Sequence, residues 1–270
     1  MTPLNGKRVL LTGGSRGVGP CIAEALAKRG ANIALTARSE EGLRNVAKSL
    51  QGFGVRTMVV PADLAQESER HELVRTVLHE FGDIDILINN AGLETEGAFL
   101  GTPWARLRET VEVNLVAPLE LTHLILPRML DRKEGHIVNI SSLGGKSAAP
   151  FDATYCGTKA GLAAWTRALR LELAGTGVHF STIFPGYVTE VGMFAKFGVT
   201  PPWTIGSCTP SQVAGAVVRA IEKRRVDVIV NSRPVRLLLA LSELWPALGD
   251  WLMRRTGVVE FQRRKVRTDG

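Results

Sequence analysis

The 270-residue chain has only two tyrosines, and one of them, Tyr155, stands four residues before Lys159. The stretch YCGTKAGLAAWTRALRLEL, Tyr155 to Leu173, carries its apolar residues at helical spacing. Four residues make about one helical turn, so the phenol and the ammonium share a face. Such a pair can move protons. A free phenol has a pKa of about 10, poorly matched to neutral pH. An ammonium about 5 Å away, at an effective dielectric near 20, is worth about 3 kcal/mol, roughly two pKa units. The same two residues can equally be a surface tyrosine packed on a lysine stem. What surrounds them decides.

The elements around the pair alternate. Lys7–Gly13 is a short apolar run ending in glycine, Asn32–Ala37 is a second, and RTMVVPAD and IDILINNAG follow; GHIVNISS, VHFSTIFPG and VDVIVN complete about seven strands. Helical patterns separate them, among them PCIAEALAKRG, ESERHELVRTVLHEFG, a long stretch from about Trp104 to Arg132, and PSQVAGAVVRAIEKRR. Apolar strands joined by helical crossovers predict a parallel sheet covered on both faces. The fold class is α/β: a single doubly wound Rossmann-type domain with a mainly parallel seven-stranded sheet, plus a helical C-terminal extension. Residues 1–231 form the dinucleotide-binding and catalytic domain, and 232–270 the extension. Composition agrees with a globular chain, with 45% hydrophobic and 22% charged residues.

TGGSRGVG, Thr12 to Gly19, lies between the first strand and the first helix. Gly13, Gly17 and Gly19, with Ser15, Arg16 and Val18 between them, allow a tight turn and close approach to a pyrophosphate at the helix N-terminus. The second strand ends Thr36-Ala37-Arg38-Ser39, where readers of NAD usually place a carboxylate for the 2′-hydroxyl. A guanidinium there, with Arg16 in the loop, suits a 2′-phosphate, so the expected cofactor is NADP(H); Arg38 could also be only a solvated helix-entry residue. Asp63 and Leu64 end the third strand; Asp63 either accepts from an adenine amino group or serves as a loop or helix-capping aspartate. NNAG ends the fourth strand, and Asn90, Ala91 and Gly92 would let the cofactor lie against backbone. Asn90 could also be only a loop hydrogen-bonder.

TGGSRGVG, NNAG, Asn114 in VEVNL, Ser142 in VNISS, YCGTK and PGYVT come in an order and spacing that resembles the short-chain dehydrogenase/reductase family, over about residues 5–231. The resemblance implies Tyr155 as general acid/base. It implies Lys159 as the group that lowers the phenol's pKa and grips the nicotinamide ribose. Ser142, thirteen residues before Tyr155, would hold the substrate oxygen, and Asn114 a water that relays protons to the lysine. On the residues alone, Asn114 is as well read as a buried asparagine satisfying helix backbone. Pro185, Gly186 and Val188 would edge the nicotinamide. The family usually has a threonine at the fifth residue after the proline; here that position is Glu190, and Thr189 precedes it. The resemblance also implies a homodimer or homotetramer built on the helices after the fourth and fifth strands.

A substrate lid is expected at about 187–210, where Phe194, Phe197 and Trp203 either suit a small apolar carbonyl or alcohol substrate or pack the lid onto the core. Lys196 alone offers little for a polyanionic substrate. Cys21, Cys156 and Cys208 are far apart without a CxxC, so neither a metal site nor a disulfide framework is expected. MTPLNGKRVLLTGG lacks a secretory pattern, and no run reaches the roughly 18 apolar residues of a membrane span, so a cytoplasmic location is expected. Net charge is +7, of which Arg233–Gly270, with eight basic and four acidic residues, carries +4. There Leu237, Leu238, Leu241, Leu244, Trp245, Leu248, Trp251 and Leu252 form an apolar stripe interrupted by Pro246. With the arginines after it, residues 237–267 fit a peripheral membrane contact, a cover for the substrate mouth, or a subunit interface. No motif that would read nucleic acid accompanies the basic end.

Overall fold

A computed structural model describes residues 3–192, 205–255 and 257–267. Seven parallel strands make one sheet: β1 (Arg8–Thr12), β2 (Asn32–Thr36), β3 (Thr57–Val59), β4 (Ile86–Asn89), β5 (Gly135–Ile140), β6 (Val178–Pro185) and β9 (Asp227–Val230). Their order is β3-β2-β1-β4-β5-β6-β9. The chain reverses its winding between β1 and β4, which opens a crevice at the carboxyl ends of those strands. A two-stranded ribbon, β7 (Tyr187–Val188) with β8 (Ser207–Cys208), stands outside this sheet and is too short to announce itself in the sequence.

Alternation along the strands sorts side chains to two cores. Val9 and Leu11 point to α1 (Gly19–Ala27), α2 (Glu40–Leu50) and α7 (Pro210–Glu222), where Ile22, Leu26, Leu43 and Val217 are buried. Leu10 points the other way, to α3 (Glu67–Glu80) and α5 (Ala117–Asp131), among Leu73, Val77, Leu121 and Ile125. Each such leucine contributes about 1.5–3 kcal/mol by leaving water.

The long helical stretch expected from Trp104 onward is not uniform. It runs as α4 (Trp104–Val111), a wider π turn at Glu112–Val116, then α5. The buried Arg70 of α3 is held from both sides of that turn, with its Nε 2.5 Å from Glu120 and its Nη1 3.7 Å from Glu112. After β9 the extension forms three short helices, α8 (Arg236–Leu244), α9 (Pro246–Arg255) and α10 (Val258–Arg267), and the apolar stripe falls on the first two and the turn between them. Pro246 holds Trp245 out of helical geometry at φ −131°, ψ 79°, and Gly257 turns at φ +76° before α10.

Candidate active site

The long helix α6 (Ala153–Glu172) carries Tyr155 and Lys159 on one buried face, 9% and 3% exposed. Lys159 Nζ lies 5.8 Å from the Tyr155 ring centre and donates to the Ile140 carbonyl at 3.0 Å. β5 ends beside them, and its two serines separate by function. Ser141 Oγ donates to the Lys159 carbonyl at 2.9 Å and ties strand to helix. Ser142 accepts from Gly144 N at 3.0 Å, and its hydroxyl lies close enough to the Tyr155 phenol to favour the phenolate. A Cβ on Gly144 would stand 3.4 Å from Ser142 Oγ and 3.6 Å from Tyr155 Cε1. Of the two serines, Ser142 is the one beside the Tyr155 ring, while Ser141 is committed to backbone.

Asn114, fully buried on the π turn, takes the place beside Lys159: a Cβ on Gly92 would stand 3.4 Å from both Asn114 Oδ1 and Lys159 Nζ. Its side chain is already employed. Oδ1 accepts from Leu93 N at 2.7 Å, while Nδ2 donates to Leu93 O at 2.8 Å and Thr158 Oγ1 at 3.2 Å. It fastens the loop after β4 to α6, so it satisfies backbone of that loop rather than of its own helix.

The electrostatics differ from the sequence argument. Burial pushes the Tyr155 phenol above its usual range; the Glu94 carboxylate adds to this, the Ser142 bond opposes it, and Asp152 and Cys156 raise it further. Burial also brings Lys159 down to about 8. The expected depression of the phenol therefore does not hold here. Lys159 points its ammonium at a carbonyl, and the cost of burying a phenolate beside carboxylates wins. Glu94 was not singled out from the sequence, although it follows NNAG by two residues.

The glycine loop forms a cradle between β1 and α1. Gly13 adopts φ +66°, and a Cβ there would meet Ala91 Cα at 2.8 Å and Asn90 Nδ2 at 2.9 Å. Only glycine satisfies both the left-handed backbone and this approach. Gly17 also turns at φ +65°, and Ser15 lies against Gly42 at the start of α2. Helix α1, entered through Val18, starts at Gly19 with no acidic residue in its first turn, leaving its N–H groups and partial positive charge for an anion. Asn90 donates from Nδ2 to the carbonyls of Thr12 and Gly13, at 3.0 and 3.1 Å. Thr12, not singled out from sequence, accepts from the Asn90 and Ala91 N–H groups at 2.9 and 3.0 Å.

Arg16 and Arg38 are exposed, and Arg38 meets Glu109 at 3.4 Å, a carboxylate that Arg106 already holds at 2.7 Å. Asp63 accepts from Ala65 N at 3.1 Å, a turn before α3. The Leu64 carbonyl accepts from Arg70 Nη1 at 2.7 Å. Pro185 ends β6, and Gly186 N donates to Val230 O at 2.9 Å. Val188 and Thr189 border β8, and Thr189 donates from N and Oγ1 to Cys208 O at 3.0 and 3.3 Å. Glu190 follows at φ +73°. Phe194, Lys196, Phe197 and Trp203 lie outside the described residues. The cradle, the helix N-terminus and the two exposed guanidiniums fit a phosphorylated dinucleotide.

A doubly wound nucleotide-binding fold, with a buried phenol, serine and ammonium at the carboxyl edge of its sheet, defines an oxidoreductase of carbonyls and alcohols. The model of the short chain dehydrogenases matches residues 7–200, and the chain belongs to that family. It is 42% identical to the ketoacyl reductase HetN of Nostoc sp. over 98% of this chain and 94% of that one. It is 33% identical to dehydrogenase/reductase SDR family member 7B of Danio rerio, over 90% of this chain and 82% of that protein. Among solved structures, an actinorhodin polyketide ketoreductase variant with NADPH superposes with a TM-score of 0.77 at 32% identity, covering 86% of this chain and 98% of that one. A metagenomic short-chain oxidoreductase with NADP gives 0.73 at 31% identity, covering 86% and 99%.

Proposed function

We propose that the chain is an NADP(H)-dependent reductase of apolar ketones or aldehydes, reversible toward the matching alcohols, with Ser142, Tyr155, Lys159 and Asn114 as its reaction site. The observation that carries this reading is the buried phenol of Tyr155 on one face of α6 with the buried ammonium of Lys159, 5.8 Å from its ring centre. NADPH, held by the glycine loop, would supply the hydride for the carbonyl carbon. Tyr155, protonated at neutral pH, gives its proton to the carbonyl oxygen. Ser142 donates to the same oxygen as negative charge grows there. Lys159, charged below about 8, offsets the phenolate left behind. Asn114 keeps the loop after β4 in register with both. Arg16 and Arg38 would hold the 2′-phosphate, and the Gly13–Gly19 loop the pyrophosphate.

An apolar substrate is supported by Phe194, Phe197 and Trp203 in the sequence of the expected lid. The names of the Nostoc and polyketide relatives make ketoacyl chains the first candidates.

The test is NADPH oxidation against aldehydes and ketones graded from short to long chain, with Tyr155→Phe as the blank. The rate should climb with apolar size and vanish in the blank, while NADPH binding stays nearly intact. If Tyr155→Phe keeps more than a few percent of the rate, the assignment of the acid fails. Tight NADPH binding with no turnover on any carbonyl would indicate a catalytically silent scaffold instead.

A further inference from the structure

The hairpin of α8 and α9 exposes six large apolar side chains. Leu237 is 73% exposed, Leu238 47%, Leu244 69%, Trp245 57%, Leu248 40% and Trp251 53%. On α8, Leu237 and Leu244 are seven residues apart and share one stripe; on α9, Leu248, Trp251 and Arg255 share another. The two helices lie side by side, because a Cβ on the buried Gly249 would stand 2.8 Å from Ser242 Cβ. Small residues thus line the seam, and the large apolar ones are left outside. A monomer surface rarely exposes so much without a use for it.

Charge identifies the occupant. Exposed Arg233 and Arg236 precede the patch, and exposed Arg254 and Arg255 follow it. The Arg255 guanidinium lies 5.8 Å from the Trp251 ring. On α10 the exposed Arg263 and Arg264 are both paired with Glu260, at 2.9 and 3.4 Å; the hairpin also exposes Glu243 and Asp250, so the four arginines at 233, 236, 254 and 255 leave it net basic. Leucine and tryptophan rimmed by arginine match a lipid surface with acidic headgroups. A second copy of this chain would bring the same arginines against each other. Among the described residues no helix is long and apolar enough to cross a bilayer, so the hairpin would lie in the interface.

The tail is also anchored. Gln262, 3% exposed, donates to the Tyr187 hydroxyl at 3.1 Å, and Phe261 meets the Tyr187 ring edge-on at 5.6 Å. Tyr187 belongs to β7, directly after the Pro185–Gly186 turn of the active site.

We infer that the α8–α9 hairpin seats the protein on an anionic lipid bilayer, with the active-site side held in a fixed relation to the membrane through Tyr187. This is independent of which carbonyl is reduced. The experiment is cosedimentation of the full chain with vesicles of phosphatidylcholine alone and of phosphatidylcholine with phosphatidylglycerol, over a salt series. Trp245→Glu/Trp251→Glu and Arg254→Glu/Arg255→Glu double variants are run beside it, and each protein's mass is measured by light scattering. NADPH turnover in solution reports folding of the variants. Binding should need phosphatidylglycerol and fall with salt. It should weaken by about fivefold or more for each arginine reversed, and be lost in the tryptophan variant, with mass and turnover unchanged. No binding to anionic vesicles, equal binding to both vesicle types, or variants that bind like the parent would overturn the inference. So would a change of mass in either variant, which would give the patch to a subunit interface.

Discussion

Asn114→Ala separates holding the loop from relaying protons. The side chain is fully buried and makes the three hydrogen bonds described above, two of them to the backbone of Leu93. Truncation leaves a buried N–H and a buried C=O of Leu93 without those partners. Each such group costs about 1–3 kcal/mol, and a water entering the space left behind recovers part of it. The net loss should be about 3 kcal/mol. For a chain of this size that is a fall in Tm of about 6–12 °C. Asn114→Asp should be no milder, because its second oxygen would face the Leu93 carbonyl. Calorimetry with and without NADPH measures the loss, and amide exchange at Leu93 locates it. A variant that loses turnover but melts within about 1 °C of the parent, against the 2–4 °C expected per kcal/mol, would refute this reasoning. Asn114 would then act only in the reaction.

Arg38→Asp should shift preference toward NADH, lowering the NADPH-to-NADH ratio of kcat/KM by at least about tenfold, the loss of one charge-assisted bond to phosphate. An unchanged ratio would remove Arg38 from 2′-phosphate recognition. The reductive rate should fall as pH rises through about 8, where Lys159 loses the charge that supports the departing phenol proton. A pH–rate profile still flat well above that value would remove the ammonium from the reaction. Burial brings His136 down to about 3, so between there and its ordinary 6.5 the unfolded chain binds the extra proton. Its contribution is intact above 6.5 and is lost on acidification, by up to about 1.4 kcal/mol per pH unit. His136→Gln should flatten that acid limb in urea titrations, and an unchanged slope would refute the linkage.

The parallel sheet and the glycine loop are legible because their signals are local. Strands such as Val9–Leu11 are unbroken apolar runs, and Gly13 is required by its own backbone and one close neighbour. Ser142, Tyr155 and Lys159 are legible because one strand end and one helix turn bring them together. What the sequence does not disclose depends on contacts between distant segments. The direction of the Tyr155 shift is set by burial and by Glu94, sixty-one residues away, rather than by the lysine one turn along. Asn114 is visible as a candidate, yet its bonds to Leu93 require the chain to fold back on itself. Thr189 is committed to Cys208 through a ribbon too short to show a pattern. Gln262 finds Tyr187 across 75 residues, a pairing no periodicity announces.

The π turn at Glu112–Val116 acts as a length standard for this part of the chain. In a regular α-helix, Glu112 and Glu120 would stand about 80° apart around the axis, since eight residues exceed two turns. The wider turn absorbs most of that offset, which lets both carboxylates reach Arg70 and still aims Asn114 inward. Losing one residue here would leave composition and helicity almost untouched, but would rekey every downstream side chain of α5 against α3. Substitutions along this helix are thus matters of degree, whereas insertions and deletions at 112–116 alter the register of the whole segment.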